Sequence, residues 1–335
     1  MKQIKLLKKV FLIVLAYVFI FELLFQSFFF FDLKFIKNPD LFYNGYCDQR
    51  YWNLKNNELK FDENVQAHPI LSYKKKESFI PNKFKLESKI ETSEFSKKEV
   101  FLYGSSYINH KDLKNITGKF KDIDFTNYGL ASYGLDQIYL SYKLTAHLNQ
   151  NKIIVFGFLL EDLDRSLFSK REYQKAQFVF QDNKLKLKNI PIDQNVKVEK
   201  VNDFYLFKFL RNFYQLSIND FDSRLIKCKV DKKKRLFEYY FNQIQKDAKK
   251  FNQEIIVITF NLKEDFIKNT SWRYNFITSY LEKNNINHID SLKILKKESV
   301  QNDEKIESYF GFDAHNNEKS FHYIINEFIK IYKAI

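Results

Sequence analysis
From Val100 onward, short β-branched or aromatic runs alternate with stretches whose apolar positions recur every three or four residues. The short runs predict strands at Val100–Tyr103, Ile123–Tyr128, Ile153–Phe158, Ile255–Phe260 and Asn287–Ile289. The longer rhythm predicts helices over Leu135–Leu148, over Phe237, Tyr240, Phe241, Ile244, Ala248 and Phe251, and over Phe321, Ile324, Ile325, Phe328 and Ile331. Strand and helix in alternation specify an open parallel sheet with helices on both faces. Phe178 and Phe180, then Leu185 and Leu187, flank Asp182 and Asn183 as a β-hairpin inserted on that sheet.

Before this region the pattern changes twice. From Asp32 to about Ser96 the chain is polar, lysine-rich and weakly periodic, which reads as a stem and a wrapping lead segment. From Val10 to Phe31 the only charge is Glu22. About 22 residues at roughly 1.5 Å each reach about 33 Å, enough to cross a bilayer. Glu22 costs about 2.5 to 3.5 kcal/mol on insertion scales, but its many apolar neighbours, at about 0.3 to 0.6 kcal/mol each, outweigh it. A cleaved signal peptide and a buried core helix are the alternatives, and for the first Phe25, Gln26, Ser27 and Phe28 provide no small-residue cleavage site. Lys2, Lys5, Lys8 and Lys9 outnumber Lys34 and Lys37 across the span, so the amino terminus is expected in the cytoplasm. The expected organisation is a cytoplasmic tail (1–9), a transmembrane anchor (10–31), a stem and lead segment (32–96), and one α/β domain (97–335) outside the membrane.

Composition narrows the picture. Among 335 residues, 7 Gly and 4 Pro exclude collagen-like and linker-rich readings and make each glycine informative. The net charge of +14 is spread along the chain beside heavy Asn, Ile and Phe use, and no groove-binding motif accompanies it, so no nucleic-acid partner is expected. Cys47 and Cys228 are too few for a disulfide framework and too far apart for a zinc spacing, leaving one disulfide open. His110, His147, His288 and His322 form no ligand constellation, so no metal and no cofactor are expected.

In open α/β sheets ligands bind beyond the carboxyl ends of the strands. Gly104, Ser105 and Ser106 end the first strand, where a serine can serve as nucleophile or merely cap a helix. Asn127 to Gly134 follow the second strand, and Gly157 to Arg165 the third. Asp313 stands two residues before His315 ahead of the last helix, as a carboxylate orients a base.

These four segments, in this order, resemble the blocks of the SGNH/GDSL hydrolase superfamily over about Val100 to Ile335. Arg171 and Lys175 before the hairpin, with His68, Pro69 and Tyr73 upstream, resemble a membrane-anchored exported subgroup. The resemblance implies a flavodoxin-like five-stranded parallel sheet, with Ser106 as nucleophile, His315 as base and Asp313 as its orienter. It places the oxyanion on the backbone N–H groups of Ser106 and Gly129. Ser105 replaces the usual Asp, which is not a triad member. Glu161, before Asp162, stands where an Asn amide normally serves the oxyanion hole, and an ionised carboxylate cannot donate. Glu161, Asp162 and Arg165 also read as a structural ion-pair network. The implied activity is serine ester hydrolysis or O-acyl transfer on acyl, chiefly acetyl, esters of a carbohydrate or envelope polymer, at a bacterial inner membrane. A multi-span membrane partner supplying the acyl group fits that setting. The alternative is a non-catalytic glycan-binding or assembly protein with a degenerate site.

Overall fold
A computed structural model describes residues 2–31, 38–55, 63–85, 94–96, 98–182, 184–194, 203–218, 228–267 and 271–335. Asp32, Lys34, Lys37 and Asn183 lie outside the described residues. The chain divides into two compact units: Met1–Leu59 with Lys170–Glu172 and Asn195–Ile226, and Lys60–Ser169 with Tyr173–Gln194 and Lys227–Ile335.

The larger unit carries strands β1 (Val65–His68), β2 (Ser72–Lys75), β3 (Glu99–Gly104), β4 (Asp124–Asn127), β5 (Ile153–Leu159), β6 (Gln177–Gln181), β7 (Lys184–Lys188), β8 (Glu254–Phe260) and β9 (Asn287–Asp290). Its helices are α3 (Lys111–Thr117), α4 (Leu135–Thr145), α5 (Asp162–Arg165), α7 (Val230–Lys250), α8 (Lys263–Ile267), α9 (Trp272–Lys283), α10 (Ser291–Gln301) and α11 (Glu318–Ala334). The smaller unit contains α1 (Lys2–Phe30), α2 (Gln49–Leu54) and α6 (Tyr205–Ile218).

Five strands form one parallel sheet in the order β4-β3-β5-β8-β9, the flavodoxin-like order expected. Both faces are covered, which explains why β5 is buried along its whole length. The two faces differ chemically because residues alternate across a strand. Val100, Leu102, Val155 and Ile258 point to an aliphatic layer closed by Phe321, Ile324, Ile325 and Phe328 of α11. Tyr103, Phe156 and Phe158 point the other way, against Tyr142 of α4 and Phe237 and Phe241 of α7.

The hairpin β6–β7 pairs Phe178 with Leu187 and Phe180 with Leu185, as the alternation predicts. A second hairpin, β1–β2, lies in the segment expected to be an irregular lead. Its strands are four residues each, and tertiary hydrogen bonds hold it more than its own pattern does. Tyr73 donates to the Ala131 carbonyl at 2.9 Å, Tyr133 donates to the Tyr73 carbonyl at 2.5 Å, and Gln137 Nε2 donates to the Leu71 carbonyl at 2.7 Å. His68 closes the connecting turn. Its Nδ1 accepts from the N–H groups of Ile70 and Leu71, and its Nε2 meets the Pro81 carbonyl at 3.1 Å. Burial pushes that imidazole down to about 4, so it is neutral near pH 7.

In the smaller unit, α1 is long and apolar enough to cross a membrane, with a mean hydropathy of 2.3 over its candidate span. Cys47 and Cys228 are thiols and share no disulfide. In the larger unit Cys228 Sγ lies 3.7 Å from Lys233 Nζ.

Candidate active site
The turn bearing Ser106 is seated by one side chain. Ile108 is fully buried over the ends of β3, β4 and β5, where three glycines make room for it. A Cβ on Gly129 would come within 2.7 Å of Ile108 Cγ2, one on Gly157 within 2.2 Å of Cδ1, and one on Gly104 within 2.4 Å of Cγ1. Asn127 completes the clamp, its Nδ2 donating to the Ile108 carbonyl at 2.7 Å. The glycines legible in the sequence are therefore the socket of the Ser106 turn.

His315 arrives from the opposite end of the chain. Its loop is closed by a Gly311 N–H donated to the His315 carbonyl at 2.8 Å and by a bridge between Phe310 and Asn316. Ala314 takes the left-handed conformation, φ 62°, which turns the backbone sharply between Asp313 and His315. His315 Nε2 lies 2.9 Å from Ser106 Oγ, and His315 Nδ1 lies 3.3 Å from Asp313 Oδ2. Asp313 Oδ1 also accepts the His315 backbone N–H at 3.2 Å. Desolvation raises the Asp313 carboxyl, but that N–H and the imidazoles of His315 and His110 outweigh it, so the group sits below the usual carboxylate range.

The imidazole is held between two rings. Tyr107 lies 4.7 Å from it, and His110 stacks on it at 5.5 Å with an interplanar angle of 19°. His110 Nε2 is also 3.7 Å from Asp313 Oδ2. In the sequence His110 belongs to no ligand constellation and to none of the four segments that carry the candidate chemistry. Its only sequence signal is its place four residues after Ser106, because the juxtaposition with Asp313 arises only in the fold.

The two expected oxyanion donors differ in their surroundings. The Ser106 N–H meets no acceptor among the described residues. The Gly129 N–H donates to Asn127 Oδ1 at 2.8 Å. Glu161, at the end of β5, is 6% exposed and its Oε2 has no hydrogen-bond partner. Burial, and next the charge of Asp265, push its carboxyl up to about 8 against the opposing pull of Arg273. At neutral pH Glu161 is chiefly a neutral acid with a proton to donate, which removes the objection to an ionised carboxylate there. Asn261 after β8 and Asn316 beside His315 are each 1% exposed, with both amide atoms unpartnered. The sequence reading missed both. Asn261 was detectable as a polar residue directly following a strand.

The neighbouring charged residues hold the scaffold. Asp162 Oδ1 pairs with Arg165 Nη1 at 2.7 Å, and Asp162 Oδ2 accepts the Leu159 N–H at 2.9 Å. Arg165 Nη1 also donates to the Tyr133 carbonyl at 3.0 Å. Asp136 is fully buried against Lys175 Nζ at 2.7 Å, so the acidic residue of the second block supports the loop. In the smaller unit, Arg171 lies over the Trp52 ring at 4.8 Å.

No protein-family model and no curated protein matches the chain. Among solved structures, it is similar to a member of the lipolytic protein G-D-S-L family from Veillonella parvula, at 10% identity and a TM-score of 0.41, covering 71% of this chain and 99% of that one. It is similar to the acetyl xylan esterase AlAXEase at 13% identity and a TM-score of 0.41, covering 70% of this chain and 98% of that one. LAE5, an alpha/beta hydrolase enzyme from the metagenome of Lake Arreo, Spain, matches at 9% identity and a TM-score of 0.41, covering 70% of this chain and 95% of that one.

Proposed function
We propose that this chain is an SGNH-type serine ester hydrolase or O-acyltransferase, anchored by α1 in a bacterial inner membrane with its α/β unit outside. The observation that carries the reading is the 2.9 Å contact between His315 Nε2 and Ser106 Oγ, with Asp313 at the other ring nitrogen. In the proposed reaction, Ser106 Oγ attacks the acyl carbonyl carbon and its proton passes to His315 Nε2. Asp313 holds the ring in the tautomer that leaves Nε2 free to accept. The oxyanion rests on the Ser106 N–H, joined by the Gly129 N–H as Asn127 releases or shares it. The alcohol then leaves with the proton from His315, and water or a sugar hydroxyl takes up the acyl group. Acetyl esters of a carbohydrate or envelope polymer are the proposed substrates, and a multi-span membrane protein is the proposed acyl source for transfer.

Labelling by a serine-directed fluorophosphonate and release of p-nitrophenol from its acetate ester test the reading. Both are expected in the full-length protein and should be lost in Ser106→Ala and His315→Ala. A wild-type protein that neither labels nor turns over would favour a glycan-binding role, to which the engaged Gly129 N–H lends support.

A further inference from the structure
Glu22 is the one acidic residue in the apolar helix α1, and the smaller unit gives it a specific task. It is 6% exposed and accepts the backbone N–H groups of Tyr205 at 3.1 Å and Leu206 at 2.8 Å. Those N–H groups begin α6, where a helix leaves its first donors without partners of its own. Gln26, one turn on, donates to Glu22 Oε1 and to the Asp203 carbonyl, each at 2.6 Å. The start of α6 is thus sealed by side chains of α1 at a depth inside the apolar window Gln3–Phe28. A carboxylate satisfying backbone donors is of most value where water is absent, since each unmade bond in lipid costs several kcal/mol.

The two faces of α6 differ accordingly. Tyr205 packs on Phe42 at 5.7 Å, and Phe209 packs between Phe25 at 5.5 Å and Phe42 at 6.1 Å. On the opposite side Phe204, Phe207, Leu210 and Tyr214 are 48%, 61%, 49% and 64% exposed. Their spacing of three, three and four makes one stripe. Arg211 is exposed on the same side, and its long stem can follow apolar surface while its charge reaches phosphate. At the same depth Phe21 and Leu24 of α1 are also exposed, so the stripe extends the apolar outer surface of the spanning helix. With 14 residues α6 is about 21 Å long, too short to cross a core of about 30 Å.

We propose that α6 is a second membrane element, a helix whose Phe204, Phe207, Leu210 and Tyr214 face lies in the leaflet at the carboxyl-terminal end of α1, keyed to that helix by Glu22. The proposal rests on the reading of α1 as the membrane anchor. Lipid is the occupant because the stripe continues the surface that α1 offers to lipid. Aromatic residues and an arginine are also what the boundary between acyl chains and phosphates selects.

The test uses the full chain with Cys47→Ser and Cys228→Ser, carrying single nitroxide-labelled cysteines and reconstituted into phosphatidylcholine and phosphatidylglycerol vesicles. Phe207→Cys and Leu210→Cys report on α6, Ile13→Cys on α1, and Val300→Cys, at an 82% exposed position, on water. Oxygen accessibility should exceed nickel-chelate accessibility at 207 and 210 as it does at 13, with the order reversed at 300. Nickel-chelate accessibility at 207 and 210 while 13 stays oxygen-accessible would overturn the proposal and leave the anchor standing. A nickel-accessible 13 would overturn the anchor reading and the proposal with it. Exclusion of both reagents at 207 and 210 would mean that a second copy of the chain covers the stripe, and lipid contact would be refuted.

Discussion

Gly104 and Gly157 stand opposite each other on neighbouring parallel strands, and neither has room for a methyl group. A Cβ on Gly104 would lie 2.1 Å from the Gly157 carbonyl oxygen, which is backbone and cannot turn away. A Cβ on Gly157 meets chiefly the Ile108 side chain, which can be shortened. Both Gly104→Ala and Gly157→Ala are therefore expected to destabilise by at least about 1 to 3 kcal/mol. Adding Ile108→Ala should recover much of the loss for Gly157→Ala and little for Gly104→Ala. Thermal unfolding of these four variants and of Ile108→Ala alone, read as double-mutant cycles, checks this.

Glu161 should make stability depend on pH. Its folded-state carboxyl titrates at about 8, above the ordinary 4.5, so between those values the folded chain holds a proton that the unfolded chain has lost. Stability from this group is complete below about pH 4.5 and falls as pH rises toward 8. Glu161→Gln removes the titration while keeping a donor. The stability of the wild type relative to that variant should drop across this window by up to several kcal/mol. A pH-independent difference in melting temperature would refute the assignment.

The buried pair Asp136 and Lys175 predicts an asymmetric result. Lys175→Met leaves a carboxylate in the interior and should cost about 3 to 5 kcal/mol, whereas the double variant Lys175→Met with Asp136→Asn should lose markedly less. Denaturant midpoints of the three proteins decide it. Because Asp136 sits at the start of α4, activity should follow stability in this series.

Ala314 offers a test of the loop that delivers the imidazole. Its left-handed backbone, costing roughly 1 to 2 kcal/mol for a residue with a side chain, suits glycine. If the chain has the proposed esterase activity, Ala314→Gly should keep it within about twofold, while the β-branched Ala314→Val should lose most of it. Equal activity in the two variants would show that the turn does not control His315.

The five sheet strands were legible because each is a local run of β-branched and aromatic residues, and their observed limits differ from the expected ones by at most one residue. The helices carrying Phe237 and Phe321 were legible for the same local reason, although the first begins earlier than its apolar rhythm, at Val230. Ser106, Asp313 and His315 could be named because their residue types and positions after strands or before the last helix resemble the blocks of the hydrolase superfamily. The chain alone left open whether they meet. Nothing local marks the β1–β2 hairpin, because its stabilising bonds run from Tyr73 and Leu71 to residues 58 and 66 positions away.

Local periodicity thus settles the five sheet strands, the β6–β7 hairpin and the helices with a strong apolar rhythm, since each of these needs only its own alternation of apolar and polar positions. Long-range packing decides everything that depends on two distant residues sharing one environment. It puts His110 beside Asp313, raises Glu161 by removing it from water, and gives Glu22 the N–H groups of Tyr205 and Leu206. In sequence Glu22 is a lone charge in an apolar run, and only the folded chain shows which donors it accepts. Desolvation and hydrogen bonding are properties of surroundings, and the surroundings of a residue exist only once the chain has folded.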